Sequence, residues 1–326
     1  MSAVIRGLGT AVPDRVVTNA ELAATLDTTD EWVRTRTGIA ERRIAEVGTA
    51  TADLAVEAGA EALKAAGEQA DAVVIATSTP DRSLPGVGPE VAARLGLGTV
   101  NAFDVNAACT GFVYGLAVAA GLIAGDIADR VLLVGAETMS RITDFTDRST
   151  AVLFGDGAGA VLLSRGAEGD QGAVGPFDLG SDGDASDLLC VPAGGSRRPA
   201  DPDAIAARDT FLQMDGREVY RQAVRRMVAS SQKVLDRAGL TVADVDRLVG
   251  HQANARILDA VADRLGVAPE RRFVNVARYG NTSAASIPLA LADADLEPGE
   301  QVLLTAFGAG MTWGSTVVRW PSLPPG

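Results

Sequence analysis

Apolar runs alternate with amphipathic stretches along the whole chain. Residues 73–78 (VVIATS), 131–136 (VLLVGA) and 302–307 (VLLTAF) are almost wholly apolar. Runs without a polar alternation predict central strands covered on both faces. Between them, residues 51–66 carry Leu54, Ala58 and Leu63 at helical spacing, with Thr51 as N-cap and Gly67 just past the end. Residues 218–238 place Tyr220, Val224, Met227 and Leu235 on one side of a second predicted helix and Arg221 and Arg225 on another.

The pattern occurs twice. KAAGEQADAVVIATSTP (64–80) ends a helix at Gly67 and enters an apolar strand, and DRAGLTVADVDRLVGHQ (236–252) does the same through Gly239. DRVLLVGAETM (129–139) resembles EQVLLTAFGAGMTW (300–313). Between these pairs lie NAFDVNAACTGFVYGLAVAA and RFVNVARYGNTSAASIPLAL, each a short strand, a turn of small polar residues and an apolar helix. The expected fold is α/β, built from two similar halves at residues 1–165 and 166–326. Two equivalent turns at equivalent strand ends would then face one shared site.

Two segments invite other readings. Residues 105–125 run without a charge and are long enough to span a bilayer. They are rich in Ala and Gly, lack aromatic or basic anchors and start with an NAACT turn, so a helix buried on all sides is expected instead. GDGAGA (155–160) looks like a dinucleotide-binding glycine loop, which needs a strand before it and a helix after. Here AVLF precedes and AVLLS follows, and a tight connection between two strands is expected.

Composition narrows the function. Over 326 residues, 47% are apolar and 22% charged, which suits a compact globular chain. Aromatics are only 4%, so Ala, Val, Leu and Ile must build the core. The net charge of −13 disfavours nucleic acid or an anionic membrane as partner. An acidic partner would need a local basic patch. Cys109 and Cys190 sit in unlike contexts, no Cys/His cluster offers a metal site, and the first residues show no secretory signal pattern. A reducing, cytoplasmic setting is expected.

Three residues carry candidate chemistry. Cys109 lies where a strand meets a helix start, and the helix dipole and free N–H groups there should lower the thiol pKa. His251, the chain's one histidine, follows an apolar strand in HQANARI. Shifting Cys109 by the separation between Gly67 and Gly239 lands on Asn281 in GNTSAAS. Cys190, in DLLCVP, reads as a buried apolar residue.

AACTGF, HQANARI, GNTSAAS and FGAGMTWG together resemble the β-ketoacyl-acyl carrier protein synthase III family of thiolase-like condensing enzymes. The likeness runs from GLGTAVPDRVVTN through DEWVRTRTGI and LFGDGAGA to the last strand. It implies a thiolase-like fold: two pseudo-repeated βαβαβ halves layered as an αβαβα sandwich. It implies that Cys109 takes the acyl group of an acyl-CoA. His251 and Asn281 would then donate to the thioester carbonyl of malonyl-acyl carrier protein as carbon dioxide leaves, and the carbanion would attack the acyl-cysteine. The backbone N–H groups of Cys109 and Ala309 would form a second oxyanion pocket. Coenzyme A is a substrate in this scheme, and no cofactor is implied. Its adenine would lie between Trp32 and Arg148, its phosphate on Arg36, with further contacts at Thr28, Gly216, Asn254 and Phe307. Leu84 would close the acyl tunnel of the partner in a homodimer. Arg217 departs from the family pattern, which in some members has Asn after this Gly. With Arg221, Arg225 and Arg256 it would supply the basic patch for the carrier protein. A priming synthase of a polyketide pathway would share these residues. Plain acyl transfer would not need Asn281, a catalytically silent subunit would not keep Cys109, and a thiolase would need a second cysteine in FGAGMTWG.

Overall fold

The computed structural model describes residues 2–323. The first half contains β1 (Ser2–Ala11), α1 (Thr51–Ala66), β2 (Ala72–Ala76), β3 (Asn101–Val105), α2 (Gly111–Ala124), β4 (Arg130–Thr138) and β5 (Asp156–Gly166). The second contains β6 (Ala173–Ser181), α3 (Gly216–Ala238), β7 (Arg247–Gly250), α4 (Ala255–Leu265), α5 (Ser286–Asp293), β8 (Gln301–Gly308) and β9 (Thr312–Arg319).

These strands form one sheet in the order β7-β8-β9-β6-β1-β5-β4-β2-β3. The order repeats itself about its centre. In the first half β2 is parallel to β3 and β4, and β5 is antiparallel to β4 and β1. In the second half β7 is parallel to β8, and β9 is antiparallel to β8 and β6. A parallel bridge from Leu248 to Arg272 stands where β3 stands in the first half. Within the sheet, the halves join through the pairs Ala3–Val174 and Val4–Ala173.

Burial explains the layers. Along β2 and β4, Val74, Val131 and Leu133 face a central cluster, whereas Val73, Ile75, Leu132 and Val134 face the outer helix α1. Along β8, Val302, Leu304 and Ala306 face the same centre, and Leu303 faces α3 and α4. Phe112, Leu116 and Ile123 of α2, with Ile287 and Leu291 of α5, fill the middle. The two halves of the sheet thus hold α2 and α5 between them, with α1 on one outer face and α3 and α4 on the other, the thiolase-like mixed α/β arrangement. Within the uncharged run at 105–125, Gly111–Ala124 form the 14-residue helix α2, which is not buried on all sides as expected: Phe112, Leu116 and Ile123 are buried while Gly121 and Ala124 are exposed, and no helix among the described residues is long and apolar enough to cross a membrane.

Several local expectations are corrected. GDGAGA is no connection: Asp156–Gly166 is itself a strand. Its glycines let α5 approach, since a Cβ on Gly159 would come within 2.6 Å of the Pro288 Cβ. Helix α1 is capped at Ala50, whose N–H donates to Asp53 at 2.7 Å, while the Thr51 hydroxyl turns inward to the Thr79 carbonyl. Gly67 and Gly239 both end their helices in the left-handed conformation, as their sequence positions suggest.

Candidate active site

The two short turns predicted to face each other do so. A 3₁₀ turn, Ala108–Thr110, precedes α2, and a second, Ser283–Ala285, precedes α5. Both open on a non-glycine residue in the left-handed region, Ala108 at φ 47 and Ser283 at φ 49. Matching the turns pairs Cys109 with Ala284 rather than Asn281. The constant-offset reading misplaces the equivalence because the connection into the second turn is longer. Asn281 nevertheless reaches the site from just ahead of that turn.

Cys109, His251 and Asn281, all buried, line one cavity of about 110 Å3 together with Gly216, Asn254 and Phe307. Gly308 lies so close that a Cβ there would sit 2.8 Å from the Cys109 nitrogen. The Thr110 hydroxyl lies 2.7 Å from that of Thr312, which donates to the Ala309 carbonyl at 3.0 Å. These bonds tie the glycine-rich C-terminal loop to the cysteine turn.

Hydrogen bonds set what each side chain presents. Ser286 Oγ lies 2.6 Å from His251 Nδ1 and accepts the Gln252 N–H at 3.3 Å. Ser286 can give its own proton to Nδ1, the arrangement in which the ring proton sits on Nε2 and faces the cavity. Burial drives the His251 pKa down to about 3, so the ring is neutral. Asn281 Oδ1 accepts the Ser283 N–H at 2.9 Å, so its remaining polar group is the NH2 donor. Two neutral donors therefore meet one thiol, an arrangement suited to a developing oxyanion.

The thiol departs from expectation. Burial pushes Cys109 up to about 12, against a lowering by the Ser283 hydroxyl, and the neighbouring Glu137 carboxyl adds to the rise. The helix-start argument predicts the opposite sign. It omits both the removal of water and a negative neighbour far away in sequence. Cys190 is a half-buried free thiol, whose pKa is also raised, chiefly by burial.

The other sequence-derived residues are spread along the approach. Trp32 and Arg36 lie on the short helix Asp30–Thr37. The Arg36 and Arg148 guanidinium carbons stand 5.6 and 5.0 Å from the Trp32 ring centre, and Arg148 also donates to the Asp27 carbonyl at 2.8 Å. A flat ring between Trp32 and Arg148 would need about 7 Å, two contact distances, so the pair must open to take one. Thr28 Oγ1 is buried without a hydrogen-bond partner. Asn254 caps α4 through Oδ1 and donates to the Arg36 carbonyl at 3.1 Å, linking the two halves of the approach. Arg217, Arg221, Arg225 and Arg256 are exposed, but Arg221 is paired with Glu218 at 2.6 Å. Leu84 does not line the cavity: it is 86% exposed on a loop beside β3. Sequence reasoning missed Ser283, Ser286 and Glu137, and the apolar wall of Leu153, Phe154, Leu189 and Met214. A lone acid inside the apolar run VLLVGAE was the signal for Glu137.

Comparison with known proteins gives one answer. Residues 103–183 match the family model for 3-oxoacyl-[acyl-carrier-protein] synthase III, and residues 235–320 match that family's C-terminal model. The chain is 56% identical to β-ketoacyl-[acyl-carrier-protein] synthase III 3 of Streptomyces coelicolor, over 99% of both chains. The crystal structure of 3-oxoacyl-(acyl carrier protein) synthase III from Pseudomonas aeruginosa PAO1 superposes with a TM-score of 0.93 at 49% identity, covering 100% of each chain. The priming β-ketosynthase of the R1128 polyketide pathway superposes with a TM-score of 0.90 at 35% identity, covering 99% of this chain and 97% of that one.

Proposed function

Because the chain belongs to the 3-oxoacyl-[acyl-carrier-protein] synthase III family, condensing acyltransferases of fatty-acid synthesis, we propose that it joins an acyl-CoA starter to malonyl-acyl carrier protein through an acyl-Cys109 intermediate. The observation that carries this reading is the convergence of one thiol with a neutral imidazole and an amide in one cavity. Cys109 attacks the thioester, and its own N–H with that of Ala309 receives the oxyanion. The coenzyme leaves, and malonyl-acyl carrier protein takes its place. His251 Nε2–H and the Asn281 NH2 then bind the malonyl thioester carbonyl, so that carbon dioxide departs from a stabilised enolate. The enolate carbon attacks acyl-Cys109 and releases the β-ketoacyl carrier protein.

Substrate contacts belong to the same proposal. Trp32 and Arg148 open around the adenine, Arg36 meets phosphate, and the unpartnered Thr28 hydroxyl supplies a further bond. Gly216, Asn254 and Phe307 line the pantetheine path. Arg217, Arg225 and Arg256, with the partly neutralised Arg221, offer the acidic carrier protein a local patch on a chain of charge −13. Residues 1–165 and 166–326 act as the two halves of one site, and Leu84 reaches the acyl tunnel of a second copy. The reaction needs no metal or cofactor, and a cytoplasmic location suits its two free thiols. Priming of a polyketide with a less common starter is the second reading, favoured by the likeness to the R1128 priming enzyme.

Intact-mass analysis with a panel of acyl-CoAs tests both. One acyl group should add to the wild-type chain and none to Cys109→Ala, and malonyl-acyl carrier protein should then release carbon dioxide with the β-keto product. Addition to Cys109→Ala refutes the nucleophile. Acyl release without carbon dioxide refutes condensation. The preferred chain length separates the two pathways.

A further inference from the structure

Arg42 is wholly buried, an unusual place for a guanidinium, since a charge kept from water is costly unless it is paired. Each hydrogen bond its fork makes goes to a neutral oxygen. Nη1 and Nη2 both donate to Asn19 Oδ1 at 2.9 Å. Nη1 also donates to the Val17 carbonyl at 3.2 Å, and Nη2 to the Val152 carbonyl at 2.8 Å. Burial lowers the Arg42 pKa to about 10, so the fork stays charged at neutral pH.

The partners of this fork give it a task. Asn19 Nδ2 donates to Asp30 Oδ1 and to the Ile39 carbonyl, both at 2.8 Å. Asp30 opens the helix Asp30–Thr37, and Ile39 stands just past its C-cap, Gly38. One amide thus grips both ends of the helix that carries Trp32 and Arg36. Val152, the other partner, is the C-cap of the short helix Arg148–Ala151. Arg42 therefore reaches from one wall of the Trp32–Arg148 pair to the other. Apolar packing of Val33 with Ala151 and Val152 also joins the two helices. Such packing has no direction and lets surfaces slide, whereas a guanidinium fork sets direction as well as distance. Arg42 does not line the cavity, so it acts only through these neighbours.

We propose that Arg42 is a positioning residue for the coenzyme's nucleotide, a buried brace that fixes the spacing of the two helices whose side chains hold the adenine. Trp32 and Arg148 then open around the ring by turning their side chains, while their main chains keep register. A buried charge facing only neutral oxygens is kept here for position rather than for stability, since apolar side chains of the same size can replace buried ionic groups without loss of folding. The proposal rests on the adenine contact of the reading above and adds to it a residue that touches no part of the substrate.

The test follows Cys109 acylation by intact mass at rising concentrations of acetyl-CoA and of acetyl-pantetheine, which lacks the nucleotide. Wild-type protein is compared with Arg42→Met and with the double variant Asn19→Leu/Arg42→Met, in which apolar side chains replace both ends of the bond. Wild type should half-saturate at a lower concentration of acetyl-CoA than of acetyl-pantetheine. In the variants half-saturating acetyl-CoA should rise about tenfold, the effect of losing one charge-assisted hydrogen bond, with the maximal rate kept. Their acetyl-pantetheine curves should match that of wild type, which a general loosening of the fold would not allow. An equal rise for both thioesters, or no rise for acetyl-CoA, overturns the brace. If Arg42→Met does not fold, the double variant decides. If that also fails, Asp30→Ala cuts the tie at the exposed helix start, and an unchanged acetyl-CoA curve there overturns the proposal. A wild type that half-saturates with both thioesters at one concentration refutes the adenine contact and the brace with it. A preference for acetyl-CoA that survives undiminished in the variants refutes the brace alone. Should neither thioester acylate the wild type, the nucleophile reading falls, and calorimetric binding of coenzyme A against pantetheine reads the same difference for Arg42.

Discussion

At Cys109 the decisive quantities are burial and neighbours, and they act against the helix start. A thiol pushed up to about 12 is almost wholly protonated at neutral pH, so its reactivity depends on a partner that takes the proton during attack. In the proposed reaction His251 and Asn281 have the opposite task of holding still and staying neutral. Removing either, as in His251→Ala or Asn281→Ala, should leave acyl-Cys109 formation intact by mass spectrometry while condensation falls about 100-fold to 1,000-fold, as for loss of one oxyanion donor. His251 also carries a pH signature. Its folded pKa of about 3 lies below the ordinary 6.5, so the unfolded chain binds more protons between those values. Stability then rises with pH across that window and is lost as pH falls through it. His251→Asn should bring urea midpoints at the acid and neutral ends of the window closer together.

At the scale of elements, close backbone approach is what brings the residues into register. Strand β5 carries glycine where α5 lies against it, and strand β8 ends in glycine where the cysteine turn arrives. Gly159→Val would drive a branched side chain into Pro288, and a cost of about 1–3 kcal/mol is expected, read as a lower urea midpoint. Gly308→Ala is expected to act differently. Its methyl group would displace Cys109 and Thr110, and acylation should slow about 100-fold through misplacement of the nucleophile, with thermal stability changing far less.

For the whole molecule, the two halves share one cavity but end in unlike edges. Strand β3 closes the first half with one side unpaired and Phe103 38% exposed, and the loop carrying Leu84 rests beside it, where Val87 donates to Asp104 at 2.7 Å. An apolar, unpaired strand edge of this kind invites pairing with a second copy. Sedimentation should give twice the chain mass, and Phe103→Asp should return single chains. If Leu84 closes the partner's tunnel, the same substitution should also widen the range of acyl lengths accepted in the intact-mass panel.

The sequence by itself determined the alternation of strands and helices, their repetition and the turns that bring Cys109, His251 and Asn281 to one cavity. Those follow from apolar periodicity and from small polar turns, which are local patterns. The helix within 105–125 was legible for the same reason, since a charge-free run rich in Ala and Gly has little to offer water, although only one side of Gly111–Ala124 is fully buried. Tertiary structure alone decided the chemical state of each group. The ring proton of His251 depends on Ser286, the direction of the Asn281 amide on the backbone of Ser283, and the environment of Cys109 on Glu137 from another strand. A constant offset could pair Cys109 with Asn281 in sequence, but the extra length before the second turn pairs it with Ala284 in space. Desolvation and hydrogen bonding depend on distance through the folded core, and no local pattern of residues encodes that distance.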